Sequence, residues 1–164
     1  MRRPLEDFEF LRHYIESLSY SKKDSDYKYF PNSGKSEKQI TYFAVQAGLR
    51  RLPSELNEFY KFSYGAHLGQ YKILTISEIT DALYELSKVP KELQRRFIFP
   101  FAQVTDAGDL IAFDLRKSNS RGFLILDGFH EYPPVKWKSI CFGLRVWLQK
   151  IASNSFEPFW LTNK

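Results

Sequence analysis

The sequence has few of the residues that covalent or metal-based chemistry needs. Of its 164 residues, one is Cys, one is Met and three are His. Because Cys141 has no partner in the chain, an intrachain disulfide framework is excluded. The three imidazoles, at His13, His67 and His130, are scattered without the spacing of metal ligands. The sequence therefore predicts no metal site.

Long apolar runs are also missing. No uncharged apolar segment approaches the roughly 18 residues that a membrane span requires. Charged side chains recur throughout residues 1–16, which is incompatible with the apolar region of a signal peptide. Together with the single Cys, these features lead us to expect a soluble protein of the reducing cytoplasm that has no membrane partner.

Sequence motifs of the common enzyme classes are absent. The chain contains no G-x-G-x-x-G sequence, no Walker sequence and no G-x-S-x-G sequence, which mark phosphate-binding loops and nucleophilic serines. Cys141 stands between Ile140 and Phe142, a setting typical of a small buried hydrophobe rather than of a nucleophile activated by His130. We therefore predict a protein that is not an enzyme and has no cofactor.

Aromatic residues, by contrast, are abundant: 15 Phe, 10 Tyr and 3 Trp make up 17% of the chain. Each ring can bury on the order of 150–250 Å², and a chain of this length can form one core without covalent staples. Two interpretations stay open. Either nearly all the rings belong to the core, or some, among them Tyr71, Phe129, Tyr132 and Trp137, lie on the surface as interface anchors.

The formal net charge is +5. The basic residues include five adjacent pairs: Arg2-Arg3, Lys22-Lys23, Arg50-Arg51, Arg95-Arg96 and Arg116-Lys117. A nucleic-acid-binding protein usually concentrates such residues on one face, whereas here acidic residues stand close to most pairs. Ordinary solubility charge is the favoured interpretation, and a phosphate-binding surface is the alternative if the fold gathers the pairs.

The periodicity of apolar residues predicts an α+β fold. It indicates helices over residues 5–19, 36–48, 53–65, 77–88 and 140–151, and strands over residues 69–76, 97–104, 109–115, 123–126 and 135–137. Runs of helices and runs of strands favour a mostly antiparallel sheet, here of about five or six strands, flanked by helices. We predict an N-terminal helix and polar loop as an extension over residues 1–35, and one folding unit over residues 36–164.

Acidic residues gather in the strand-rich segment, at turns and strand ends. They are Asp106, Asp109, Asp114, Asp127 and Glu131. Carboxylates beside Gly are ordinary turn chemistry, since they bond their own backbone. Contact with a partner, cation binding and acid–base catalysis are the alternatives.

Five segments carry a recognisable pattern: Leu52–Gly65, Phe99–Ala102, Gly108–Leu115, His130-Glu131 and Ser139–Ile151. In this order they resemble the SUKH superfamily, which includes bacterial immunity proteins and the yeast cell-wall-synthesis regulator. Leu52–Gly65 (LPSELNEFYKFSYG) resembles its "LP" helix, Phe99–Ala102 its "iPfa" strand, and Gly108–Leu115 its "Gd-x-x-x-f-D" strand. His130-Glu131 resembles its "hE" pair, and Ser139–Ile151 its closing helix. The segments follow the family order, although a single Gly65 replaces the usual Gly-Gly.

The resemblance implies an α+β protein that binds and does not catalyse. From this resemblance, the leading hypothesis for the function is a cytoplasmic immunity protein that neutralises a cognate toxin by direct contact. The alternatives are a regulatory adaptor for another intracellular protein and, more distantly, a nucleic-acid-binding module.

The contacts expected for such an inhibitor are the five acidic residues, with two further side chains as anchors. Asp106, Asp109, Asp114, Asp127 and Glu131 would mimic phosphate, and His130 and Trp137 would anchor the partner. The net charge of +5 stands against an inhibitor that is acidic overall.

Overall fold

The computed structural model of the chain describes residues 27–31, 34–154 and 157–161, together with His13. Four α-helices and seven strands lie in this part of the chain. The helices are α1 (Glu37–Gln46), α2 (Ser54–Phe62), α3 (Ile76–Ser87) and α4 (Leu144–Ser153). The strands are β1 (Tyr27–Pro31), β2 (Ser63–Leu68), β3 (Tyr71–Ile73), β4 (Ile98–Val104), β5 (Leu110–Asn119), β6 (Gly122–Gly128) and β7 (Lys138–Phe142). The predicted helix over residues 5–19 lies outside the described residues except for His13.

The strands form one antiparallel sheet in chain order, from β1 to β7. Each strand therefore pairs with its neighbours in sequence, and α3 connects β3 to β4. The predicted α+β class with an antiparallel sheet is confirmed. The sheet has more strands than expected for two reasons. Strand β1 lies within the predicted polar loop. Strand β2 begins at Ser63, where the backbone becomes extended immediately after α2 without a turn signal in the sequence.

Capping boxes begin two of the helices. The Ser36 hydroxyl accepts a bond from the Gln39 backbone N–H at 3.3 Å, and the Gln39 side chain accepts one from the Ser36 N–H at 2.9 Å. This reciprocal pair satisfies two backbone donors that the helix leaves unpaired. It confirms the predicted start of α1. At α3, Thr75 and Glu78 form the same reciprocal pair of hydrogen bonds. This helix therefore begins at Ile76, earlier than the predicted residue 77.

The main core lies between one face of the sheet and the four helices. Ile111 and Phe113 of β5 point into it, and Trp147 of α4 packs edge-on against Phe101 with ring centroids 5.4 Å apart. Ala112, one residue along β5, belongs to a smaller cluster on the opposite face of the sheet. This alternation follows from the period of two in a strand.

The segment before β7 differs from the prediction. Pro134–Lys136 forms a turn of 3₁₀-helix rather than a strand, and Trp137 is only 8% exposed. Its indole packs in the smaller cluster, and its Nε1 donates to the Tyr132 carbonyl at 2.9 Å. Trp137 and the fully buried Tyr71 are therefore not surface anchors, whereas Tyr132 is exposed.

Helix α4 begins at Leu144, later than predicted, because residues 138–142 pair with β6. The Glu55 carboxylate of α2 receives the backbone N–H groups of Leu144 at 2.7 Å and Arg145 at 3.4 Å. Glu55 thus supplies from a distant part of the chain the negative charge and acceptors that a helix N-terminus favours. The bond joins the "LP" helix to the closing helix.

Candidate protein-interaction surface

The predicted acidic residues lie at the start of β5, except for Asp114, which lies in the middle of that strand. Asp109 immediately precedes β5, and Asp127 pairs with Ile111 from the facing strand. Asp106 is exposed in the β4–β5 turn, and Glu131 is exposed in the turn that follows β6. Asp114 lies further along β5. The structure therefore places four of the five predicted carboxylates at the same end of the sheet.

A contact between Asp109 and His130 joins the two turns at that end. The Asp109 Oδ1 atom lies 2.5 Å from His130 Nδ1 and accepts the His130 backbone N–H at 2.8 Å. Asp109 itself is buried, while the His130 side chain is 57% exposed. The carboxylate therefore holds the imidazole in position at the surface.

Asp127 lies beneath this contact and is half-buried. Its Oδ2 atom accepts the Trp160 indole N–H at 2.8 Å, which fixes the C-terminal segment 157–161 against the sheet. Burial raises the pKa of Asp127, and the nearby charge of Asp109 raises it further, while the Trp160 bond acts in the opposite direction. The structure thus brings together Asp109, Asp127 and His130.

Asp114 has a different environment. Its side chain has no exposed surface and is paired with Arg95 at 2.9 Å and with Arg116 at 3.2 Å. Burial alone would raise the pKa of Asp114, but the bonds from Arg116 and Arg95 outweigh it and lower the pKa. Direct contact of Asp114 or Trp137 with a partner, as predicted from the sequence, does not agree with their burial.

Sequence reasoning missed acidic residues on α3. Glu78, Asp81 and Glu85 follow one another at spacings of three and four, which places them on one face of the helix. They line a groove of about 340 Å³ that also touches Gln103 and Gly108. The signal was available in the sequence, since these residues occupy the polar face of an amphipathic helix.

We use the name acidic edge for the exposed carboxylates Asp81, Glu85, Asp106 and Glu131. Gly108 borders the α3 groove, and the adjacent Asp109 holds His130 next to Glu131. The α3 face, the β4–β5 turn and the turn after β6 therefore form neighbouring parts of one surface. Glu85 is paired with Lys88 at 2.7 Å.

Metal-ligating side chains are not clustered in the part of the chain that the structure describes. No three His, Cys, Asp or Glu residues there are placed to share a metal ion. Cys141 lies in β7, not in a helix, and burial raises the pKa of its thiol to about 11. At neutral pH this thiol is protonated, and a thiol is a far weaker nucleophile than a thiolate.

Comparison with protein families identifies the chain. A model of the SMI1 / KNR4 family (SUKH-1) matches residues 34–148. The chain belongs to the SMI1 / KNR4 family. The match extends from the residues before α1 into α4, so it includes Glu55 and both turns of the acidic edge. No curated protein matches the chain. Among the described residues, no helix has the length and apolar character required to cross a bilayer.

Proposed function

We propose that this SMI1 / KNR4-family protein is a cytoplasmic immunity protein that neutralises a cognate toxin by binding it, without catalysis. Family membership over residues 34–148 is the observation that carries the proposal. The exposed carboxylates of the acidic edge are the surface that we assign to the toxin. Because many toxins of this kind act on nucleic acid through basic clefts, such carboxylates would occupy the positions of phosphates.

The geometry supports this assignment through the way the edge is held. Asp109 is buried and fixes His130 and its turn, and the Trp160 bond holds the side chain of Asp127 in the neighbouring strand β6. A turn that is already fixed needs no further ordering of its backbone when a partner binds, which lowers the cost of binding. Of the predicted contacts, Asp106, Glu131 and His130 are exposed, and we expect them to touch the partner.

The net charge of +5 is compatible with an acidic binding surface because the basic pair Arg95-Arg96 lies far from Asp106. Asp106 follows the end of β4, whereas the pair Arg95-Arg96 precedes its beginning. Seven residues of strand span roughly 20 Å, well beyond the Debye length of about 8 Å at physiological salt. Arg95 and Arg96 therefore have little effect on a partner that contacts Asp106.

Co-expression with the toxin tests the proposal. The toxin domain to use is the C-terminal domain of the secreted protein whose gene adjoins this one. We expect cells that express both proteins to survive, and an inactivated form of the toxin domain to co-elute with this chain. The double variant Asp81→Lys, Asp106→Lys should lose both protection and co-elution.

Glu92→Lys is the matched control, because Glu92 is an exposed carboxylate outside the acidic edge. It introduces the same kind of charge reversal and should leave protection intact. If cells die and no complex forms with the unaltered chain, the immunity role is wrong for that pair. Co-elution without protection would show binding without neutralisation, which contradicts the immunity role.

A further inference from the structure

Phe97 has a backbone conformation that its side chain disfavours. Among the described residues, it alone combines a side chain with a positive φ, at +62°. In this region the Cβ atom crowds the backbone, so bulky residues rarely occur there. Its ring is nevertheless 62% exposed, so burial of the ring does not explain why Phe occupies the position. Strained residues of this kind cluster at functional sites.

The structure around Phe97 holds it in this conformation. The Phe97 carbonyl accepts the Leu115 N–H at 2.9 Å, which fixes the residue at the start of β4. Two residues earlier, the Arg95 guanidinium binds the buried Asp114 and the Trp137 carbonyl, the latter at 3.1 Å. The ring is therefore presented outward on a rigid backbone.

Apolar surface adjoins the ring. Phe97 borders a groove of about 200 Å³ whose other walls include Leu83, Leu86 and Pro134. Nearby, the Val135 N–H donates to the Leu93 carbonyl at 3.2 Å, and both side chains are exposed. We use the name Phe97 surface for Leu93, Phe97, Val135 and this groove.

Two of the basic pairs meet at the same place. Arg95 and Arg116 bind opposite oxygens of Asp114 at distances of 2.9 Å and 3.2 Å, which brings Arg95-Arg96 next to Arg116-Lys117. The Arg116 guanidinium lies 5.9 Å from the centre of the Phe97 ring. Asp114 offsets one of these charges, and Arg96 and Lys117 remain exposed. The fold therefore gathers basic pairs that the sequence shows only as scattered.

We propose that the Phe97 surface is a second interaction site, which binds an acidic segment of a partner protein. An aliphatic or aromatic side chain of that segment fits the groove beside Phe97, and its carboxylates face Arg96, Arg116 and Lys117. A protein segment matches this surface better than nucleic acid does, because aliphatic Leu93 and Val135 offer no stacking plane for bases. Aromatic and Arg side chains at the centre of an apolar patch are typical of residues that dominate binding energy.

This site has no residue in common with the acidic edge. Phe97 precedes β4 and Asp106 follows it, although Glu85 of the acidic edge adjoins Leu86 of the groove on α3. Selection of short random peptides displayed on yeast against the full chain tests the proposed site. We expect the enriched peptides to carry Asp or Glu around one aromatic or aliphatic residue. For a synthetic copy of one such peptide, fluorescence anisotropy should show that Phe97→Asn and Arg96→Glu each weaken binding at least about tenfold.

Folding and binding are separated by the choice of variants. Asn tolerates positive φ better than Phe does, so Phe97→Asn should keep or raise the melting temperature while it loses the peptide. Phe97→Tyr should retain binding. Tyr42→Asn, which removes a 68% exposed ring on α1, is the matched control and should leave affinity unchanged.

Five results would overturn the proposal. They are the enrichment of basic peptides, equal binding of an enriched peptide to Phe97→Asn, and the absence of any enriched peptide. The fourth is binding of labelled oligo-dT, but of no peptide, in a manner sensitive to Arg96→Glu. Concentration-dependent self-association that Phe97→Asn abolishes would likewise contradict a separate partner and assign the surface to a second copy of this chain.

Discussion

Two buried tyrosines show how much a single hydroxyl matters in this core. Tyr60 and Tyr71 have no exposed surface. The Tyr60 hydroxyl donates to the Leu74 carbonyl, whereas the Tyr71 hydroxyl has no hydrogen-bond partner among the described residues. A buried polar group without a partner costs about 1–3 kcal/mol.

Tyr71→Phe should therefore increase the free energy of unfolding by about 1–3 kcal/mol. Tyr60→Phe is the matched substitution and should decrease it by roughly 1 kcal/mol, the usual net contribution of one hydrogen bond. Urea denaturation of both variants measures the difference. Destabilisation by Tyr71→Phe would show that its hydroxyl has a partner in solution.

Asp127 makes stability depend on pH in a defined direction. Burial, followed by the charge of Asp109, raises the pKa of Asp127 above its ordinary value of 3.8. The folded state therefore binds this proton more tightly than the unfolded state. The resulting stabilisation is present in full below pH 3.8 and is lost as the pH rises through the folded pKa.

Asp127→Asn should remove this effect, because an amide is uncharged and its oxygen can still accept the Trp160 N–H. We expect a higher melting temperature than that of the unaltered chain at pH 7, and a difference that shrinks towards pH 3. Thermal unfolding across this range provides the measurement. A lower melting temperature at pH 7 would indicate that the charged form of Asp127 stabilises the fold.

Single residues also show where sequence reasoning stops. The sequence indicates that carboxylates gather near β5 and β6, and the structure brings Asp109, Asp127 and His130 together. The sequence does not distinguish Asp114 from these residues. Asp114 is separated by tertiary packing, since Arg95, distant in the chain, meets it only after β4 and β5 pair. Local spacing contains no signal for that contact.

At the scale of elements, the hydrogen bonds between Glu55 of α2 and the start of α4 can be tested by substitution. The Glu55 carboxylate caps α4 from outside that helix. Glu55→Ala should lower the free energy of unfolding by about 1–2 kcal/mol, the usual value for loss of a helix cap. Chemical denaturation measures it.

Glu58→Ala is the control on the same helix. Glu58 pairs with Lys61 at 2.6 Å at the surface, and such pairs contribute about 0–1 kcal/mol. Equal effects of the two substitutions would argue against the capping role of Glu55.

Elements that a local sequence motif specifies could be predicted, whereas elements that depend on pairing with another strand could not. The Ser36–Gln39 capping box correctly predicted the start of α1. Ile140 fits the apolar spacing of the predicted closing helix, but residues 138–142 form β7 because they pair with β6. Likewise β2 follows α2 directly, and pairing with β1 and β3 determines its conformation.

At the scale of the whole molecule, charge is distributed unevenly. Asp106 of the acidic edge and the basic residues around Phe97 lie at opposite ends of β4, so the net charge of +5 describes neither place. The sequence predicted the order of the family segments and the class of fold. It did not predict this separation, because the partition of charge depends on which turns the sheet brings to each end.

The central claim is that the acidic edge binds the toxin directly. Isothermal titration calorimetry of the purified chain with the inactivated toxin domain tests it at low and at high salt. We predict a one-to-one complex whose affinity falls as salt rises, since the contacts are between exposed charges. The absence of binding at low salt, or full affinity in the variant Asp81→Lys, Asp106→Lys, would contradict the claim.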